Sequence, residues 1–302
     1  MGLNTTVTTY LAKGEEAILN ETISLILLSS VILALTLSIF RWELGLLSAV
    51  MIFFGIALAE VLGRKMYAKY ALLSMGQKLS QIALCISLYF CLGIPGIILG
   101  YFLSFLAFSY RYFKSIRNFS TKLNSLKERL NFMLYSYGFN LLNSFSTYLD
   151  KAIVGGVFGY YVLGLYQLGF QFFLFLSLIP TSLYNYLLPE ESSGKSRKET
   201  ELIGLTFSII SALTIFIISP IMIENFFPTF LEATQVVRVI SLASIPSTIL
   251  AILTAELLGE KRSREVFAAE VLHLIFLTTA LIIMGGIIGA LGFFRPLHRP
   301  TF

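Results

Sequence analysis

Few residues of this chain have the chemistry to act, and most of them border long apolar runs. Its one aspartate, Asp150, follows the uncharged run 131–149 and is itself followed by Lys151. A charge in or beside a bilayer is costly and persists where a partner, water or a substrate compensates it. Two roles stay open for this pair: interface charges that reach headgroups and water, or a gate at the mouth of a pathway. Arg238 stands near the start of the apolar run 236–258. Its guanidinium fork fits phosphate oxygens, and it is equally able to snorkel to the interface. Glu270 and His273 are three residues apart and so share a helical face. Such a pair can pass a proton, or the histidine can be a buried neutral ring bonded to its neighbour. Asp150, Lys151, Arg238, Glu270 and His273 are therefore the candidate substrate or ion pathway. Glu60 and Arg64, four apart, read as a helix-end ion pair.

Enzyme chemistry has little to work with here. The sequence contains no GxxxxGK[ST], HExxH or GxSxG, and a single Asp excludes an Asp-pair metal site. Cys85 and Cys91 fall in an apolar run without a His or Cys cluster and read as packing residues. The expectation is no catalysis, no cofactor, no metal and no nucleic acid, since the basic residues lie between apolar runs.

The elements that would carry these residues are membrane spans. Of 302 residues, 56% are hydrophobic and 13% charged, with mean hydropathy +0.81. Soluble proteins carry about 25% charged residues. A span of hydrocarbon ~30 Å thick takes about 20 apolar residues as a helix. Nine such stretches are expected, at about 22–40, 44–62, 80–93, 95–113, 131–153, 162–188, 202–223, 236–258 and 266–291. Gly93-Ile94-Pro95-Gly96 breaks the third from the fourth, and Gly155-Gly156-Val157-Phe158-Gly159 is the expected break after the fifth. The motifs Gly96-x-x-x-Gly100 and Gly285-x-x-x-Gly289 permit close helix approach.

Lysine and arginine set the orientation. Alternate loops around Lys13, 63–79, 111–130, 190–200 and 259–265 hold 17 of them, against Arg41, Lys151 and Arg238 on the other side. The rich side is expected in the cytoplasm of a multi-pass cell-membrane protein. Within 114–130, Ile116, Phe119, Leu123, Leu126 and Leu130 repeat every three or four residues among basic ones. That spacing predicts an amphipathic helix on the inner leaflet, against membrane lipids. The Met1–Asn20 stretch shows no signal-peptide pattern. The basic, proline-broken tail after Phe294 sits awkwardly with the charge rule.

The stretch Leu149-Asp150-Lys151-Ala-Ile-Val-Gly155-Gly-Val-Phe-Gly159, then Leu163-Gly164-Leu-Tyr166, then Leu187-Leu-Pro189-Glu190-Glu191 resembles the oligosaccharide flippases, the polysaccharide biosynthesis transporters of the MOP superfamily. The resemblance covers about a fifth of the chain. It implies an all-α, two-lobed transporter fold: an N-terminal lobe at 1–113, a cytoplasmic linker at 114–130 and a C-terminal lobe at 131–302. Met1–Leu11 would align with the end of the family's second span, so that two spans would be lacking at the start and at least one at the end, which with the aberrant tail fits a fragment incomplete in both lobes. It further implies a transporter that flips a polyprenyl-phosphate-linked oligosaccharide by alternating access. Its partners would be that lipid-linked sugar, membrane lipids, Na+ or H+ as a coupling ion, and glycan-assembly proteins. The alternatives are an ion-coupled multidrug antiporter of the same superfamily, the permease subunit of an ABC exporter, or an inactive truncated product.

Overall fold

The computed structural model describes residues 2–113, 124–195 and 197–290. All regular structure among them is helical. The chain divides into two compact units.

The first unit is Met1–Tyr137 together with two returning segments, Leu188–Ser196 and Leu258–Lys261. It opens with α1 (Gly2–Ala12), α2 (Ala17–Ser38) and α3 (Trp42–Gly63). Threonine is a poor helix former, because its branched side chain loses rotamer freedom. Packing overrides that in α1, where Thr5, Thr6, Thr8 and Thr9 are all buried. Thr6 donates to Gly2 O at 2.9 Å and Thr8 to Ala59 O at 3.2 Å, so neither hydroxyl is wasted. Val7 and Leu11 join Leu19, Ile23, Ile26, Ile56 and Ala59 in one core cluster.

Next come α4 (Tyr67–Leu92) and α5 (Ile94–Phe113), joined as a hairpin at Gly93, whose φ of +67° suits a residue without Cβ. The two helices touch backbone to backbone. A Cβ on Gly96 would lie 2.1 Å from Leu88 O, and one on Gly100 would lie 2.8 Å from Cys85 Cα. Those glycines make the approach that their spacing predicts. Phe54 and Phe105 meet edge-on at 5.3 Å between centroids in a second core cluster. Then follows α6 (Asn124–Glu128), and α7 (Leu130–Phe158) starts in this unit. Cys85 and Cys91 are free thiols.

The second unit holds the rest of α7, α8 (Tyr160–Leu176), α9 (Leu178–Ser192) up to Leu187, α10 (Lys198–Phe226), a single 3-10 turn at Pro228–Phe230, α11 (Ala233–Leu242), α12 (Ser244–Gly259) up to Leu257, and α13 (Ser263–Ala290). Between α10 and α12, Thr248 donates to Ser208 Oγ at 2.8 Å and Ser208 donates to Ser244 O at 3.2 Å, all three buried. Inside an apolar bundle such hydroxyls find one another because water is absent.

Several expectations change. Seven helical stretches among the described residues are long and apolar enough to cross a membrane. Of the nine expected, 95–113 appears as the shorter apolar helix Ile94–Ser109. The other exception, 131–153, lies within the long α7, whose Asn131, Ser136, Asn140, Asn143 and Ser144 lower its hydropathy. The loop expected at 63–79 shrinks to Arg64–Met66, because α4 begins at Tyr67 and carries Lys69 and Lys78 on exposed positions. The break expected within 155–159 falls at its last residue, Gly159, with φ +87°, while Gly155 and Gly156 stay helical. The continuous helix expected over 116–130 is interrupted at Arg129, between α6 and α7. Leu126 is buried in protein, not laid on lipid, and its N–H donates to the buried Glu21 carboxylate at 2.8 Å. Residues 114–123 and the tail after 290 lie outside the described residues.

Candidate functional site

Asp150 does not sit at a helix end, as the sequence suggested. Helix α7 runs eight residues further to Phe158. The carboxylate is buried, and α7 and α8 together satisfy it. The Tyr166 hydroxyl donates to Oδ2 at 2.5 Å, and the Lys151 backbone N–H to Oδ1 at 2.6 Å. The Lys151 ammonium lies 3.3 Å from Oδ1 and donates to Thr147 O at 2.5 Å. It also sits 3.4 Å from the centroid of the Phe170 ring, a cation–π position. Tyr166, Phe170 and Phe173 follow one another along α8 with centroids 6.3 and 5.9 Å apart. The pair is thus embedded in an aromatic face.

Four residues before Asp150, on the same face of α7, Ser146 donates to Glu270 of α13 at 3.4 Å. Glu270 is buried and lies 3.4 Å from His273 Nδ1. The burial expected for His273 belongs to Glu270 instead: the ring is half exposed. One face of α7 therefore bonds α8 through Asp150 and α13 through Ser146, and it assembles two buried carboxylates in one unit. Each carboxylate has a hydroxyl donor and a basic neighbour, the arrangement that lets a site exchange protons or cations without exposing a naked charge.

Arg238 lies on α11. Its guanidinium carbon is 5.5 Å from the Phe216 ring centroid on α10, and its Nε is buried without a hydrogen-bond partner. A buried guanidinium N–H without an acceptor is unusual, and an anion would satisfy it. Among the described residues no bond joins Arg238 to the two carboxylate pairs. Glu60 meets Arg64 at 2.9 Å as the spacing predicts, and Arg64 also clamps Glu16 with two bonds of 2.8 Å. Sequence reading missed Ser146, Tyr166 and Phe170 as site residues. Tyr166 stands in the motif that carries the family resemblance, and Ser146 was within reach through its i, i+4 relation to Asp150.

Comparison with known proteins agrees with this architecture. The profile of a family described as "Polysaccharide biosynthesis protein" matches residues 64–227, more than half of the chain. The fold is similar to that of an outward-facing multidrug resistance MATE transporter of the MOP superfamily, at TM-score 0.74 and 14% identity over 97% of this chain and 81% of that one. It is similar to MATE in its straight conformation at TM-score 0.65 and 14% identity, over 93% and 84%. The bent conformation gives 0.63 and 13%, over 94% and 85%. No curated protein sequence matches the chain. The chain belongs to the polysaccharide biosynthesis protein family, and it is a multi-pass membrane protein with the fold of the MOP-superfamily transporters.

Proposed function

We propose that this protein flips a polyprenyl-phosphate-linked oligosaccharide from the inner to the outer leaflet of the cell membrane by alternating access, for cell-surface polysaccharide. The observation that carries the reading is the family match over 64–227, which runs from the end of α3 through α10. Arg238 supports it, since its unpartnered buried Nε suits a phosphate oxygen. The buried Asp150 and Glu270 supply groups for coupling to H+ or Na+. The basic turns face the cytoplasm in this reading, and 114–130 links two lobes.

A second reading, ion-coupled multidrug antiport, is favoured by the multidrug resistance MATE transporter that shares the fold. One experiment separates the two. Cells lacking the gene are tested for surface polysaccharide, for lipid-linked sugar held on the inner leaflet and for drug sensitivity. Flipping predicts loss of the first, accumulation of the second and no change in the third. Unchanged polysaccharide with increased drug sensitivity reverses the assignment. Arg238→Ala should lower delivery about tenfold, and Arg238→Lys should restore only part of it, since a point charge replaces a fork.

A further inference from the structure

The first unit contains two segments whose flanking helices belong mainly to the second: Leu188–Ser196, which starts with the last turn of α9 and leads towards α10, and Leu258–Lys261, which starts with the end of α12 and leads towards α13. Charged side chains fasten both. At the first turn, Glu190 is 3% exposed. It accepts from the Tyr67 hydroxyl at 2.6 Å and pairs with the Lys65 ammonium at 3.3 Å, which also donates to Ser193 Oγ at 2.5 Å. At the second turn, Lys261 lies 4.0 Å from Glu15, and Glu15 is also paired with Arg129. Arg129 and Lys261 each lie over the Tyr10 ring, 4.9 Å from its centroid. Lys13 donates to Gly259 O at 2.7 Å.

The backbone marks the same two places. Among the described residues, only Lys65 and Lys261 combine a side chain with positive φ, at +59° and +67°. Each follows a helix end at the position where glycine is usual. Met66 N–H reaches Val61 O at 3.0 Å, and Arg262 N–H reaches Leu257 O at 2.8 Å, the same closing bond in both. A lysine in this conformation is strained where glycine would be relaxed, so its side chain has to justify the site. In each case that side chain is an arm of the fastening. Breaking one partner of the buried Glu190 pair leaves an uncompensated charge, whereas the more exposed Lys261–Glu15 contact is weak and screened by salt.

We propose that Lys65, Tyr67 and Glu190, assisted by Lys261, Glu15, Arg129 and Tyr10, form a releasable clasp that holds the 188–196 and 258–261 turns on the first unit and opens during transport. The proposal rests on the transport reading above. It is tested in the full chain reconstituted in liposomes, with Cys85 and Cys91 replaced by Ser. Ser192→Cys, at a position 5% exposed on the fastened turn, reports through its rate of maleimide labelling. Glu190→Gln and Lys65→Gly should each raise that rate about tenfold. Combining Lys65→Glu with Glu190→Lys should bring it back to within about threefold of the parent. Arg41→Gln, which removes an ion pair local to one helix start, should leave the rate unchanged. Lys65→Gly is the decisive variant: it relaxes the backbone while deleting the charge. Labelling at the parent rate would make Lys65 a helix stop only, and a swapped pair labelling as fast as Glu190→Gln would remove the ion pair from the clasp. Either result overturns the proposal. Labelling as expected in a protein that delivers no lipid-linked sugar keeps the clasp and discards the transport reading; delivery with insensitive labelling does the reverse.

Discussion

Asp150 is where a single atom change is most informative. Asp150→Asn keeps the size and removes the charge that balances Lys151. We expect delivery of lipid-linked sugar to fall at least about tenfold while membrane insertion stays intact, measured in the same membranes by outer-leaflet trapping and by immunoblot. Tyr166→Phe removes one donor and leaves the ion pair, so its cost should be smaller, about 1 kcal/mol. Normal transport by Asp150→Asn would reduce the residue to a structural charge. The two pairs, Asp150 with Lys151 and Glu270 with His273, were legible in sequence because their spacing is one and three. Their cross-helix partners were not: Tyr166 lies 16 positions from Asp150, and Ser146 lies 124 from Glu270. Only folding brings such distances together. The exposure of His273 was illegible for the same reason, since sequence shows which residues share a face but not what the face meets.

Glycine placement at the helix level gives a graded test. An alanine at Gly100 would press a Cβ to 2.8 Å from Cys85 Cα and N, which are backbone and cannot swing aside. An alanine at Gly169 would meet Val236 Cγ1 at 2.9 Å and Ile240 Cδ1 at 3.1 Å, which are side-chain tips. Gly100→Ala should therefore destabilise by about 1–3 kcal/mol and Gly169→Ala by less. Thermal unfolding in detergent checks the order, and equal midpoints would refute it. Helix existence was well legible, because uncharged runs of about 20 residues leave few alternatives. Helix ends were less so. Composition placed a break within 155–159 but did not say which of its three glycines would take the positive φ, which falls at Gly159. Around the end of α6, Glu21 binds Leu126 N–H and Arg129 pairs with Glu15, contacts that no local pattern announces.

At the level of the molecule, the lopsided distribution of Lys and Arg sets the expected sidedness. Lys198→Cys in a cysteine-free background should resist an impermeant thiol reagent in intact cells, and Arg41→Cys should react. The reverse pattern would invert the topology. The discontinuity of the first unit has its own consequence, in the order of synthesis. That unit takes residues from 1–137, 188–196 and 258–261. Its earliest helices leave the ribosome long before Glu190 or Lys261 exists. A nascent chain stalled at residue 180 would hold Lys65 and Tyr67 without Glu190, and Glu15 without Lys261. The part of the protein made first is thus finished almost last. Assembly in the membrane has to keep the α3–α4 turn waiting, unoccupied and chaperoned or hydrated, until more than half of the remaining chain has been inserted.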